Sequence, residues 1–468
     1  MRSKKEYSYD TFLSPFTWRY AGDEMKAIWS EENKRLLLRK VWCALAKAEN
    51  HFGLVSDEEL SDIEKHCNDV DIQRSLEIES EIHHDLMAEI KAYAEQCPIG
   101  GGKIHLGATS TDILDNAEAL RLKEAVKIIK THLKTVSLSI RSLIKQYGNV
   151  PCMAYTHLQS AEETILGHRF LVWKESIDEA YDRISSLKIK GKGFKGAVGN
   201  YSGYDILLRG VKKNASSVNG VSLEKIALKE LSLEAFNITT QVYPRYQDME
   251  IMSALSLVAA VSSKIAFDIR LLQSSAYNEL SEPFSKHQVG SSAMPFKRNP
   301  INSEKINSLA RFVHSLESSA FENTASSALE RTLDDSANRR LFLPEAFLGV
   351  DEILITLTKV LSGLVIKTEG INHNREKYGV FAATEGLLMK AVEKGGDRQF
   401  LHEEIRKECI VAKQMLDKTG NNPLKENLSN NKEFLRFMTK DEILCILNET
   451  PRFESLELKL KEALKNKK

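Results

Sequence analysis

The sequence predicts an all-α protein, an elongated central bundle of long helices with smaller helical domains at either end. Three observations carry that prediction. Apolar residues recur every three or four positions through long stretches poor in proline, the pattern of amphipathic helices. No run of alternating strands and no internal repeat interrupts them. In the longest stretches apolar residues also occupy more than one face, which marks helices covered on most sides, in part by other copies of the chain. About 60–70% helix is expected. The divisions fall at 1–110, 111–366 and 367–468.

The elements follow in order. Residues 1–22 are polar and irregular, ending in Arg19, Tyr20, Ala21 and Gly22. Ser30-Glu31-Glu32-Asn33 is a helix start, followed by Leu37, Leu38, Val41, Trp42, Leu45 and Ala46 at helical spacing. Asp57–Cys67 and Asp71–Gln96 read as further helices, and Cys97-Pro98 through Gly102 as a break. The first long helix is expected over Thr111–Tyr147, and a second over about Ala161–Leu187. Glycines 191, 193, 196, 199, 203 and 210 then cluster. They lack the GxxxxGK[ST] order and a preceding strand, so a shaped connection is expected and not a phosphate loop. Tyr246–Leu280, free of Pro and Gly, predicts a helix of roughly 50 Å. Ser303 to about Leu329 predicts another. Leu333–Ile366 predicts a third, interrupted by Pro344, Gly349 and Gly363. Beyond Glu369 the helices shorten, and the chain ends in the basic tail Lys459–Lys468.

Bulk charge is balanced, with 65 Lys plus Arg against 65 Asp plus Glu. Nothing in that balance argues for nucleic acid or a membrane surface as partner, and neither is expected; a local basic pocket for a small anion remains compatible with it. The six cysteines are scattered with no CxxC pair, so reduced thiols are expected and neither a disulfide framework nor a zinc site. The basic N-terminus lacks the apolar core of a secretory signal. No apolar run approaches the roughly 18 residues of a membrane span.

Several groups suit chemistry, and each has a plain structural reading beside it. His157, in Tyr155-Thr156-His157-Leu158-Gln159, lies in a short polar link before a helix, where an imidazole acts as acid or base or simply faces solvent. His83 and His84 are adjacent on an expected helix, about 100° apart, so they do not chelate one metal; Asp85 orients an imidazole or belongs to a polar face. Thr109, Ser110 and Thr111 open the first long helix, as caps or as part of an anion site. Arg331 to Arg340 is the densest charge cluster. Thr332 with Asp335 resembles a capping pair, and Ser336 and Arg340 share a face near the helix N-terminus, a geometry suited to phosphate. The alternative is an ion-pair network, Arg331 with Asp335 and Asp335 with Arg339.

One stretch stands apart. Gly290–Pro300 reads GSSAMPFKRNP after SEPFSKHQV. Its prolines exclude a continuous helix, and a loop carried between long helices is a common seat of chemistry. The wording Gly-Ser-Ser-x-Met-Pro-x-Lys-x-Asn-Pro resembles the signature of the fumarase/aspartase superfamily. HLGATS at 105–110, Thr156-His157 and ERTLDDSANRR at 330–340 resemble its adenylosuccinate lyase family, in particular the animal form. The resemblance spans about residues 14–345.

The resemblance implies a cytoplasmic homotetramer, with active sites shared between subunits, that releases fumarate from a purine nucleotide by β-elimination without a cofactor. It implies Ser291 as base, His157 as general acid oriented by Glu304, and Lys297 and Asn299 on the carboxylate charge. His84 would sit near the succinyl group or phosphate, with His83 and Asp85 also among the substrate-binding residues. Arg19, Tyr20, Arg331, Ser336 and Arg340 would bind phosphate and ribose, and Thr109, Ser110 and Gln241 the carboxylates. Lys305 stands where the animal enzymes have arginine; it keeps the charge and loses the fork. What activates Ser291 is not legible, and loop 281–300 is expected to close over substrate. Two rivals stay open at this point: a fumarate-releasing relative such as argininosuccinate lyase, and a non-catalytic helical assembly.

Overall fold

A computed structural model describes residues 10–211 and 218–465. The first nine residues and the last three of the basic tail lie outside the described residues. The chain is all-α: about two thirds of the described residues are helical. Among the described residues strand is confined to two two-stranded antiparallel ladders and one isolated bridge. The helices of 20 residues or more among the described residues are Glu31–His51, Ser110–Tyr147, Leu166–Ser185, Tyr246–Gln273, Asp334–Ser362 and Arg398–Thr419.

Four local expectations are corrected. Pro151–Thr156 and Gln159–Ile165 form a hairpin, so the second long helix starts at Leu166 and not near Ala161. Glu162 and Glu163 suit a helix, but Cys152, Met153, Thr164 and Ile165 are buried only if the segment pairs as strands. Tertiary burial overrides propensity here. The Asp71–Gln96 helix is two, Ile72–Ile82 and Asp85–Gln96. The 303–329 helix divides at Leu316 into Ile301–Ser315 and Glu317–Ala325. Tyr246–Gln273 stops short of Leu280, which pairs with Ile366 instead. Conversely, Asp334–Ser362 runs through Pro344. A proline removes one helical N–H, leaving the carbonyl of Arg340 without its i+4 donor, and the helix continues on its remaining bonds.

The chain divides into two compact units. The first comprises the segments up to Leu133, Glu179–Ser262 and Ser308–Ile355. Its core gathers Leu38, Trp42, Tyr93, Ile113, Phe194, Tyr204 and Leu223. Arg35 and Arg39 meet Glu89 at 3.2 and 3.0 Å, and Arg39 lies over the Tyr93 ring. The glycine cluster is fastened to the start of Ser110–Tyr147 by one carboxylate. Asp112, fully buried, accepts from Lys192 Nζ at 2.5 Å, Lys195 N at 3.1 Å, Gly196 N at 3.1 Å and Tyr204 Oη at 3.1 Å. Gly193 has φ +86°, and a Cβ there would lie 1.8 Å from Glu224 Oε1, so glycine is required. The N–H groups of this segment are already taken, those of Lys195 and Gly196 by Asp112, that of Gly193 by Asn116 Oδ1 and that of Gly191 by the Glu234 carbonyl, in keeping with a structural connection.

The second unit comprises Lys134–Asp178, Ser263–Asn307 and the chain from Thr356 onward. It holds the hairpin and a separate apolar core of Leu387, Leu388, Leu401, Ile405, Phe434 and Ile443. Glu279 is fully buried in it, accepting from Tyr155 Oη at 2.5 Å, Asn374 Nδ2 at 3.1 Å and Arg169 Nη1 at 3.3 Å.

Breaking a buried pair leaves an uncompensated charge, which typically costs about 3–5 kcal/mol. Asp112→Asn strands Lys192, so the variant is expected to lose stability on that scale in urea unfolding. A loss below about 1 kcal/mol would show that Asp112 does not fasten the segment.

Candidate active site

In the first unit, a cavity of about 210 Å³ is lined by Trp29, Lys34, Asp85, Ser336 and Arg340 among others. The local charge pattern follows from which acids are buried. Asp335 accepts from Arg331 Nη1 at 2.7 Å and from Arg245 Nε at 2.6 Å. Arg245 also reaches Asp115 at 3.1 Å. Arg339 donates through Nε to Asp248 and through Nη2 to the Tyr243 hydroxyl, at 2.7 and 2.6 Å. That hydroxyl in turn donates to Asp248 at 2.7 Å. Arg331–Asp335 is thus the expected pair, but Asp335–Arg339 is not formed, because fully buried Asp248 takes Arg339. The expected cap is also displaced. The helix starts at Asp334, and the Asp335 carboxylate turns to the arginines and not back to Thr332.

Ser336 and Arg340 line the same cavity, as their spacing predicts. The Ser336 hydroxyl makes no hydrogen bond among the described residues. Arg340 is more than half exposed and pairs with Asp85 Oδ2 at 2.8 Å. Burial alone would raise the Asp85 carboxyl, but the Leu86 N–H, Arg340, Lys34 and His84 outweigh it and hold it below the usual range. Lys34, Trp29 and Arg121 are lining residues that the sequence did not reveal. Lys34 reads as an ordinary i,i+3 partner of Glu31, which it meets at 3.5 Å. Arg121 lies 4.6 Å over the Trp29 ring, a contact between residues far apart in sequence.

The histidine pair is not on a helix. His83 is left-handed, with φ 55°, and ends Ile72–Ile82. His84 is extended and caps Asp85–Gln96, its Nδ1 accepting from Met87 N at 3.3 Å. Both imidazoles are exposed.

Thr109, Ser110 and Gln241 converge on the N-terminus of Ser110–Tyr147. The Thr109 N–H donates to Asp112 Oδ2 at 3.0 Å, and the Thr111 hydroxyl donates to the Gln241 carbonyl. Gln241 Nε2 donates to Ala197 O at 3.0 Å. Arg19 and Tyr20 follow the short helix Pro15–Trp18, and Tyr20 meets Phe16 edge-on. The next two N–H groups, of Ala21 and Gly22, donate to Glu352 and Asp351 at 2.8 and 2.7 Å, which fixes the segment on Asp334–Ser362.

The other expected residues lie in the second unit. His157 and Leu158 are the two turn residues of the hairpin, with φ 53° and 61°. Positive φ at both positions is the type I′ geometry, normally supplied by Asn-Gly. The His157 ring is exposed and has no hydrogen-bond partner among the described residues. In the signature loop, Ser291 Oγ accepts from Met294 N at 3.1 Å, and Asn299 Nδ2 donates to Gly290 O at 3.0 Å. A Cβ on Gly290 would lie 2.0 Å from the Lys297 carbonyl, so the loop closes on itself only with glycine there. Buried Glu282 caps the following helix, accepting from Ser303 N at 2.5 Å and Asn302 N at 3.2 Å. Lys297 is exposed and Lys305 half-buried. Glu304 is half-exposed, 3.8 Å from Arg270. Among the described residues no hydrogen bond joins His157 to Glu304, and no basic side chain bonds Ser291. The expected residues therefore form two sets, one in each unit.

The Asp335 cluster gives a pH prediction. Burial raises its carboxyl, Arg245 and Arg331 lower it further, and the net shift is downward. A depressed folded-state pKa contributes stability above the unfolded value of about 3.9, lost as pH falls through the folded one. Asp335→Asn is expected to be less stable than the parent at pH 7. The gap should narrow only below about pH 4. Parallel stability curves from pH 7 to pH 2 would contradict this.

A lyase family matches residues 17–314, more than half of the chain. The adenylosuccinate lyase of Pyrococcus abyssi is 37% identical over 436 residues, covering 92% of this chain and 93% of that protein. That of Saccharomyces cerevisiae is 37% identical, covering 85% and 83%. That of Schistosoma mansoni is 35% identical, covering 91% and 89%. In fold, a fumarate lyase from Mesorhizobium sp. BNC1 is similar, with a TM-score of 0.82 at 19% identity, covering 98% of this chain and 100% of that one. So is 3-carboxy-cis,cis-muconate lactonizing enzyme from Pseudomonas putida, with a TM-score of 0.82 at 21% identity, covering 96% and 98%. With the signature loop and the Ser336–Arg340 cavity in place, these likenesses decide the family: the chain belongs to the lyase family, with the adenylosuccinate lyases.

Proposed function

We propose that this protein cleaves adenylosuccinate to AMP and fumarate, and the succinyl-aminoimidazole-carboxamide ribotide to its carboxamide and fumarate. The observation that carries the reading is the 37% identity to an adenylosuccinate lyase across 92% of the chain. The cavity supports it. Ser336 and Arg340 supply a hydroxyl and a guanidinium near a helix N-terminus, the combination that suits a phosphate.

The chemistry follows from the substrate. The hydrogen lost sits on the carbon β to the leaving nitrogen and α to a carboxylate. Ser291, as its alkoxide, takes that proton. The electron pair moves into the carboxylate as an aci-dianion, which Lys297 and Asn299 stabilise. It then forms the C=C bond of fumarate as the C–N bond breaks. His157 gives the nitrogen its proton. One proton is taken and one given, and nothing is oxidised or reduced, so the steps call for no redox cofactor.

Two features support a site completed by neighbouring subunits. Among the described residues no carboxylate bonds the His157 ring, and no basic side chain bonds Ser291. Both groups are presented on exposed turns and loops. A homotetramer in which each site draws on several subunits would supply both needs.

Fumarate release by the purified protein, followed through purine absorbance, is the test. The parent should turn over adenylosuccinate and leave argininosuccinate untouched. Ser291→Ala should lower kcat by about 10²–10⁴-fold with KM little changed. Turnover that survives in the variant would move the base elsewhere. A mixture of the separately inactive Ser291→Ala and His157→Gln proteins, allowed to exchange subunits, should regain activity. No recovery despite mixed oligomers would remove the shared-site reading.

A further inference from the structure

We infer that Tyr277 is a positioning residue for His157, holding the hairpin turn that carries the imidazole through a hydrogen bond to the Leu158 carbonyl. The inference rests on the reading of His157 as general acid and adds a residue to it.

The turn needs holding. His157 and Leu158 are consecutive non-glycine residues at positive φ, 53° and 61°. Histidine visits this region occasionally, but leucine rarely does. Such backbone persists only where its surroundings over-determine it, and it clusters at functional sites. The Thr156–Gln159 pairing closes the hairpin behind the turn. From outside the hairpin, one hydrogen bond among the described residues reaches the turn backbone: the Tyr277 hydroxyl donates to Leu158 O at 2.8 Å.

Tyr277 is itself fixed at both ends. Its ring meets Tyr155 of the hairpin edge-on, with centroids 4.6 Å apart. Its carbonyl accepts from Asn374 Nδ2 at 2.8 Å. Asn374 and the Tyr155 hydroxyl both donate to buried Glu279, which also holds Arg169. A buried carboxylate thus anchors one aromatic ring in the strand and the backbone of the other outside it. The free end of the second ring carries the bond to the turn. The His157 ring has no partner of its own among the described residues, so the turn backbone sets where it is presented to any group of a neighbouring subunit. Loss of the Tyr277 hydroxyl removes that restraint while leaving the ring, its packing and the Glu279 network in place.

The test compares the parent, Tyr277→Phe, His157→Gln and the double variant, each first checked for the parent's circular dichroism and oligomer mass. Tyr277→Phe is expected to keep KM for adenylosuccinate and to lose kcat by roughly ten- to hundredfold, the scale of a misplaced catalytic group. In the His157→Gln background the same change should cause no further loss, because the hydroxyl acts through the imidazole. Parent-like kcat in Tyr277→Phe, beside an impaired His157→Gln, would overturn the positioning role and leave the reading of His157 standing. Equal losses in both backgrounds would also overturn it. Parent-like kcat in His157→Gln would remove the reading of His157 and this inference together.

Discussion

Buried carboxylates decide which cations of this chain are available for a ligand. Asp115, Asp248 and Asp335 are buried, and between them they hold Arg245, Arg339 and Arg331. Separating such pairs typically costs about 3–5 kcal/mol, so these arginines are part of the framework. Arg340 differs. Its pair with Asp85 is more than half exposed on the arginine side and partly exposed on the other, and pairs at the surface contribute about 0–1 kcal/mol. A phosphate, carrying more charge and several acceptor oxygens, can displace Asp85 at little expense. The cavity walls are therefore braced by buried pairs, while the Arg340 guanidinium is held by a partly exposed acid.

The proposed reacting groups follow a different logic. Ser291 and His157 lie on backbone that departs from regular structure, one in a loop that closes only over glycine and the other on a strained turn. Each is fastened by neighbours without being neutralised by them. Glu282 ties the end of the loop to the helix Ile301–Ser315. The Glu279 cluster ties Tyr155 and Tyr277 around the turn. Acids thus organise both sets of residues while remaining outside the chemistry. His157 is left exposed and Ser291 partly so, as the proposed proton transfers require.

The fold class was legible because long apolar periodicity survives almost any local disturbance. Ser110–Tyr147 differs from its expected start by a single residue. The hairpin was hidden because its turn uses histidine and leucine where Asn-Gly is the usual mark, and its second strand carries two glutamates. The break at His83 was hidden because neither glycine nor proline announces it; an N-capping histidine is a weak signal. In the 331–340 segment, the Ser336–Arg340 face could be read from spacing alone. The fate of Arg339 could not, since Asp248 and Tyr243 are about 90 residues away in sequence. Lys34 and Arg121 escaped for the same reason, as cavity walls are assembled from distant segments.

The central claim is that Ser336 and Arg340 receive the nucleotide phosphate while the buried arginines stay in place. A crystal structure of Ser291→Ala with adenylosuccinate trapped in it would test that most directly. The account predicts phosphate oxygens within hydrogen-bond distance of Ser336 Oγ and the Arg340 guanidinium, with the Asp85–Arg340 pair opened and Arg245 and Arg339 unmoved. A phosphate bound by Arg245 or Arg339, or one lying elsewhere with Arg340 still on Asp85, would contradict it.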